Sequence, residues 1–264
     1  MADMLSDMAP EAAAQALAWL VAMGADEVIS DAAMDRFAAS QAKAPPPEAA
    51  KVPLPQPAAI ASNVVLAQQP SQIAAQAREL ARAANSLTEL KQALAFFSEH
   101  PLRKGATKLS FMEGPDTARV LLIGDKPRNE EDKSGEVFSG KARELLARML
   151  AAIELKLEDV ALLNFIPYRP PGNRAPGEIE VASSHPFALR AIELLNPGAI
   201  LGFGALAGQF LAGGETSILK QRGRFLKIGE VDFISTIPPD ELLKFPQQKK
   251  LAWRDLLAFK QRVL

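Results

Sequence analysis

A nearly continuous apolar run, Ala118-Arg119-Val120-Leu121-Leu122-Ile123, feeds directly into the loop Gly124-Asp125-Lys126-Pro127-Arg128, and no other stretch constrains the fold as strongly. A strand without polar alternation is buried on both faces, the pattern of a parallel sheet covered by helices. The loop runs on through Glu130-Glu131-Asp132 to Gly135-Glu136-Val137-Phe138-Ser139-Gly140. Beyond it, Leu145, Leu146, Met149 and Leu150 mark one face of a helix over 141–153. Open α/β sheets bind ligands beyond the carboxyl ends of their strands, so this acidic, glycine-punctuated loop is the expected floor of a site.

The same alternation continues along the chain. Strands are expected near 106–111, 118–123, 159–164, 198–203, 225–228 and 231–235, and helices over 139–153, 186–195, 204–212, 239–244 and 248–262. Pro186 suits the first turn of its helix, with Ser183 or Ser184 as cap. A helical stretch over 72–97 should break near Ser86. These elements predict a three-layer α/β/α sandwich with a mostly parallel central sheet, occupying residues 72–264. Ahead of it, residues 44–71 are rich in Pro and Ala and read as a semi-rigid linker. Residues 1–43 form an acidic segment, with one amphipathic helix over 11–23 on Ala13, Leu17, Leu20 and Val21 and a shorter one over 31–39.

Composition narrows the function. With 48% apolar and 23% charged residues the chain is ordinary for a globular protein. It has no apolar run long enough to span a bilayer and no signal-peptide pattern, so a cytoplasmic protein without a membrane partner is expected. Cysteine is absent and only His100 and His185 remain, which excludes disulfides and thiolate metal sites, and no metal or other cofactor is expected. The net charge of -1 hides a split: residues 1–43 hold seven acidic and two basic side chains, leaving 24 acidic and 28 basic in the remainder. That mild basic excess is compatible with nucleic acid but does not by itself propose it.

Four segments carry a family likeness. The loop keeps Gly124, Pro127, Glu130, Glu131, Asp132, Gly135, Phe138 and Gly140 in the frame Gly-Glu-Ala-Pro-Gly, acidic triplet, Gly-x-Pro-Phe-x-Gly. Asn164-Phe165-Ile166-Pro167-Tyr168-Arg169-Pro170-Pro171-Gly172-Asn173-Arg174 matches Asn-x-x-x-x-Arg-Pro-Pro-Gly-Asn-Arg, the most specific of the four. Arg222-Gly223-Arg224 and Thr236-Ile237-Pro238-Pro239-Asp240-Glu241-Leu242-Leu243 follow in order. Together, over about residues 86–264, they resemble the family 4 uracil-DNA glycosylases, and the resemblance implies that family's α/β fold and uracil-containing DNA as partner.

What the resemblance implies for the residues can be checked against the chemistry. Breaking the bond between base and deoxyribose requires a flipped nucleotide in a pocket. Phe138 matches the aromatic that lies against uracil, and Asn164 matches the carboxamide that reads its edge, a donor and an acceptor in one group. Gly124 and Lys126 complete the substrate-binding set. Asp125, standing where the family has Glu, and Glu131 match the carboxylates that orient water and stabilise an oxocarbenium-like sugar, whereas Asp132 reads equally as a group holding its own turn. Lys126 is expected to pair with Asp125 or Glu131, its pKa raised by neighbouring carboxylates, or else to contact a phosphate. Arg128, replacing a glycine, should narrow the pocket.

Arg169, Asn173, Arg174, Arg222 and Arg224 are candidate DNA-backbone contacts, and Leu242 or Leu243 a candidate wedge in the duplex. The family's histidine, which stabilises the departing base, is Pro238 here, and nothing in Pro239-Asp240-Glu241 replaces it. A weakened glycosylase is therefore expected, with a catalytically inactive DNA- or protein-binding homologue as the alternative. The family's usual iron–sulfur cluster is also lost: His100, Tyr168 and Ser184 stand near the positions of its cysteines. The acidic amino-terminal helix is a candidate protein-binding element.

Overall fold

The computed structural model describes residues 70–263, so the expected amino-terminal helices and linker lie outside the described residues. Helices α1 (Pro70–Ala83) and α2 (Leu87–Phe96) come first, split where Ser86 adopts an extended backbone and its side chain accepts the Glu89 N–H at 3.1 Å. Six strands follow: β1 (Met112–Glu113), β2 (Val120–Gly124), β3 (Ala161–Asn164), β4 (Ala199–Phe203), β5 (Phe225–Ile228) and β6 (Val231–Thr236). They form one sheet in the order β1-β3-β2-β4-β6-β5, in which only the edge strands β1 and β5 run antiparallel to their neighbours.

Period-two alternation along β2 separates the two cores. Leu121 and Ile123 face one side, packed with Ala77 of α1, Leu90 of α2 and Phe187 of α5 (Glu178–Leu195). Val120 and Leu122 face the other, against Leu146 and Leu150 of α4 (Gly140–Ala151) and Leu256 and Phe259 of α9 (Lys249–Val263). The result is the expected three-layer sandwich. The remaining helices are short: α3 (Asn129–Ser134), α6 (Leu206–Leu211), α7 (Ile218–Gln221) and α8 (Pro239–Lys244).

Two local expectations fail for identifiable reasons. Residues 106–111 form no strand: Asp132 takes the Thr107 N–H and hydroxyl at 2.8 and 3.1 Å and Lys108 reaches the Ser134 carbonyl, so β1 begins only at Met112. Helix α5 begins at Glu178 rather than at Pro186, with the Glu180 carboxylate accepting the Gly177 N–H at 2.7 Å as cap. Pro186 then lies in mid-helix, and Ser183 and Ser184 donate back to the Ile179 and Glu180 carbonyls instead of capping.

The three positions aligned with cluster cysteines converge. Ser184 has given its proton to the Glu180 carbonyl, so His100 Nε2 donates to Ser184 Oγ at 3.1 Å, while His100 Nδ1 accepts the Leu102 N–H at 3.3 Å. The imidazole lies 5.0 Å from the Tyr168 ring, and the Tyr168 hydroxyl donates to the Leu94 carbonyl. Burial holds His100 down to about 4, against a smaller opposing pull from Glu180, and the ring is neutral at pH 7. A close-packed neutral imidazole, phenol and hydroxyl offer no thiolate, and this place does not fit an iron–sulfur cluster.

Candidate active site

The carboxyl ends of β2, β3 and β4, with the start of α8, open onto a cleft of about 800 Å³ lined by Gly124, Asp125, Phe138, Asn164, Phe203 and Pro238 among others. Asn164 ends β3, buried beside Gly124, its register partner on β2. Its Nδ2 donates to the Ser110 carbonyl at 3.1 Å and to Ser110 Oγ at 2.9 Å. Ser110 Oγ spends its own proton on the Glu136 carbonyl at 2.6 Å. Both groups facing Nδ2 are therefore acceptors, which fixes the amide orientation and leaves Oδ1 toward the cleft with no protein donor among the described residues.

Opposite Asn164 stands Phe138, edge-on to Phe203 with ring centroids 5.5 Å apart. Its backbone has φ +56°, a left-handed conformation costly for a bulky residue. Arg143 of α4 holds it there by donating to the Val137 and Phe138 carbonyls at 2.8 and 3.1 Å while pairing with Glu113, which in turn accepts the Val137 N–H. Gly124 is required between the two side chains: a Cβ would lie 2.8 Å from Asn164 Oδ1 and 3.0 Å from the Phe138 ring.

Asp125 reaches across to α6, accepting the Ala205 and Leu206 N–H groups at 3.2 and 2.9 Å. Gly204, at φ +116°, leaves room for that carboxylate, into which any Cβ would collide. Burial pushes Asp125 up to about 7, outweighing the two amides and Lys126, with Glu241 adding to the rise. Glu131 is also raised by burial, but its carboxylate accepts the Arg128 N–H and so turns its own helix. Asp132 takes the structural role described above.

Lys126 departs from expectation. Its ammonium makes no pair with Asp125 or Glu131; it donates to the Asn173 carbonyl at 2.6 Å and to the Arg174 carbonyl, tying the cleft floor to the Pro171–Asn173 turn. Burial and the nearby Arg128 lower its pKa instead of raising it. Arg128 forms an ion pair with Asp240 across the cleft.

The backbone-contact candidates divide. Asn173, Arg174 and Arg224 are exposed and Arg169 is half-buried; Arg169 donates to Asn173 Oδ1 at 2.8 Å and Arg174 pairs with Glu180. Arg222 is turned inward, its guanidinium held by Asp255 and the Leu251 carbonyl, with Asp255 also bonded to Thr236 at 2.8 Å, so it has no free fork for a phosphate. Arg224 borders a separate small cavity with Gln221 and Leu226. Leu242 is buried against Ile237 and Ala252, which removes it as a wedge, whereas Leu243 is exposed at the cleft. Ser110, Arg143 and Gly204 escaped the sequence reading because nothing in their neighbourhoods signals Asn164, Glu113 and Asp125, which lie 54, 30 and 79 residues away; only Gly204, following an apolar strand, carried a hint.

No group of three or more potential metal-ligating side chains occurs among the described residues. Fold and cleft together define a three-layer α/β protein with an aromatic, a fixed carboxamide and a buried carboxylate at the carboxyl ends of its parallel strands. The family description "Uracil DNA glycosylase superfamily" matches residues 111–257, and the chain belongs to this superfamily. It is 37% identical to a type-4 uracil-DNA glycosylase of Thermotoga maritima over 146 residues, 54% of this chain and 76% of that protein. Proteins of the same name from Archaeoglobus fulgidus (37% over 107 residues, 40% of this chain and 54% of the relative) and Sulfurisphaera tokodaii (29% over 180 residues, 65% and 82%) are also similar.

Proposed function

We propose that this protein hydrolyses the N-glycosidic bond of uracil in DNA. The observation that carries the reading is the fixed amide of Asn164, which turns an acceptor toward the cleft facing Phe138. Uracil offers N3–H to such an acceptor, whereas cytosine offers a lone pair at N3 and is repelled. Phe138 supplies the flat surface for the ring, and Asp125 the base that takes a proton from water attacking C1′. Exposed Lys141 and Lys244 at the cleft rim, with Asn173 and Arg174 on the neighbouring turn, suit the phosphates, and exposed Leu243 suits the gap left by a flipped nucleotide. The likeness to type-4 enzymes supports DNA as the substrate polymer. We assign the protein to the cytoplasm, and its acidic amino-terminal segment to partner binding, on composition alone.

Excess protein incubated with a single-stranded oligonucleotide carrying one uracil should generate an abasic site, and Asn164→Ala should abolish it. Matched oligonucleotides with cytosine or hypoxanthine at the same place measure the selectivity. A folded parent protein that binds the DNA but leaves every base attached would make it a binding homologue instead.

A further inference from the structure

Pro238 leaves the departing base without the donor that its position would ordinarily supply: proline has neither a polar side chain nor an N–H, and its backbone is fixed at φ -62°. The cleft nevertheless contains a cation with donors left over after its ion pair. Lys126 is turned toward the neighbouring turn and tied there to two carbonyls, and Lys141 and Lys244 are exposed on the rim. Arg128 differs from all three. It lines the same cleft as Asn164 and Phe138, and Asp240, two residues beyond Pro238 at the start of α8, faces its Nη2 as an ion-pair partner. Its Nε and Nη1 make no hydrogen bond among the described residues. Its backbone is fixed as well, because the Arg128 N–H is bonded to Glu131.

We propose that Arg128 is a catalytic residue whose guanidinium stabilises the departing uracil anion, with Asp240 as the positioning residue that aims it. The inference rests on the glycosylase reading above. The C1′–N1 bond breaks with its electron pair passing to uracil, where N–H groups of Arg128 meet the charge developing on the ring. The water oxygen bonds to C1′ and gives its proton to Asp125; solvent then protonates the released uracilate, and Arg128 stays charged throughout. The charge of Asp240, which would by itself repel a leaving anion, is neutralised by this pairing. The planar fork of arginine leaves donors over after one carboxylate is bound, which a lysine cannot arrange in one plane. An oriented donor of this kind is worth about a hundredfold to a thousandfold in rate.

The test is single-turnover release of uracil and of 5-fluorouracil from otherwise identical single-stranded oligonucleotides by the parent, Arg128→Gln, Arg128→Lys and Asp240→Asn, with DNA affinity measured alongside. The more acidic 5-fluorouracil leaves with less assistance. Arg128→Gln is therefore expected to lose about a hundredfold or more with uracil and markedly less with 5-fluorouracil, at nearly unchanged affinity. Arg128→Lys should fall between parent and Arg128→Gln, and Asp240→Asn should show the same leaving-group dependence at smaller amplitude. Equal losses with both bases, or a loss confined to affinity for any DNA, would make Arg128 a structural or phosphate-binding residue and overturn the proposal. An active parent matched by Arg128→Gln overturns this inference alone, whereas a parent that releases neither base overturns the glycosylase reading and the inference with it.

Discussion

Asp125 gives the cleft its pH dependence. With its pKa pushed up to about 7 by burial, the carboxylate that the proposed function uses to take a proton from water forms only as pH rises through that value. Single-turnover uracil release should climb about tenfold per pH unit below 7 and level off above it, as expected for one essential deprotonation. Asp125→Asn should be slow at every pH, its profile lacking the step. Ser110 is a second residue-scale control. It holds the Asn164 amide by two acceptors, one of which is its hydroxyl, so Ser110→Ala removes one hydrogen bond worth about 1 kcal/mol. We expect uracil release to fall about five- to tenfold and discrimination against cytosine to narrow, read from paired uracil and cytosine oligonucleotides.

Among the elements, the α1–α2 break shows local chemistry deciding a boundary. Ser86 caps α2, and its loss in Ser86→Ala should cost about 1 kcal/mol in urea unfolding without touching base release. Helix α4 acts through Arg143, which ties the strained Phe138 backbone to β1 through Glu113, so an aromatic of the cleft is set by a helix and an edge strand together. The chain also shows where local signals mislead. Pro186, with Ser183 and Ser184 just ahead of it, suits a helix start, yet the Glu180 and Gly177 cap prevails and the helix begins eight residues before Pro186, and the buried face of Val181, Ser184 and Ala188 runs straight through. Residues 106–109 carry strand-compatible spacing but are drawn to α3 by Asp132, a long-range partner that propensity does not register.

Across the molecule, the knot of His100, Tyr168 and Ser184 ties the start of the α/β unit to the loop after β3 and to α5. Its imidazole is neutral when folded, with a pKa about 4 against an ordinary value near 6.5. The unfolded chain thus binds more protons between those values, and His100 withdraws stability as pH falls from 6.5 through 4. Asp125 acts in the opposite sense, since its raised pKa withdraws stability as pH rises from about 4 to 7. Urea titrations of His100→Gln should therefore show a shallower loss toward pH 4 than the parent, and those of Asp125→Asn a shallower loss toward pH 7. The sequence by itself determined the three-layer class, most of the succession of strands and helices along the chain and the family, because apolar periodicity and motifs such as Arg169-Pro170-Pro171-Gly172-Asn173-Arg174 are local and survive without knowledge of contacts. Only the tertiary structure decided which charges remain free for substrate: Arg222 is consumed by Asp255, Lys126 by the carbonyls of Asn173 and Arg174, and Asn164 is oriented by Ser110. These pairings join residues 33, 47 and 54 positions apart, and a carboxylate or carbonyl brought near by packing outcompetes the neighbours in sequence because it arrives already oriented and out of water.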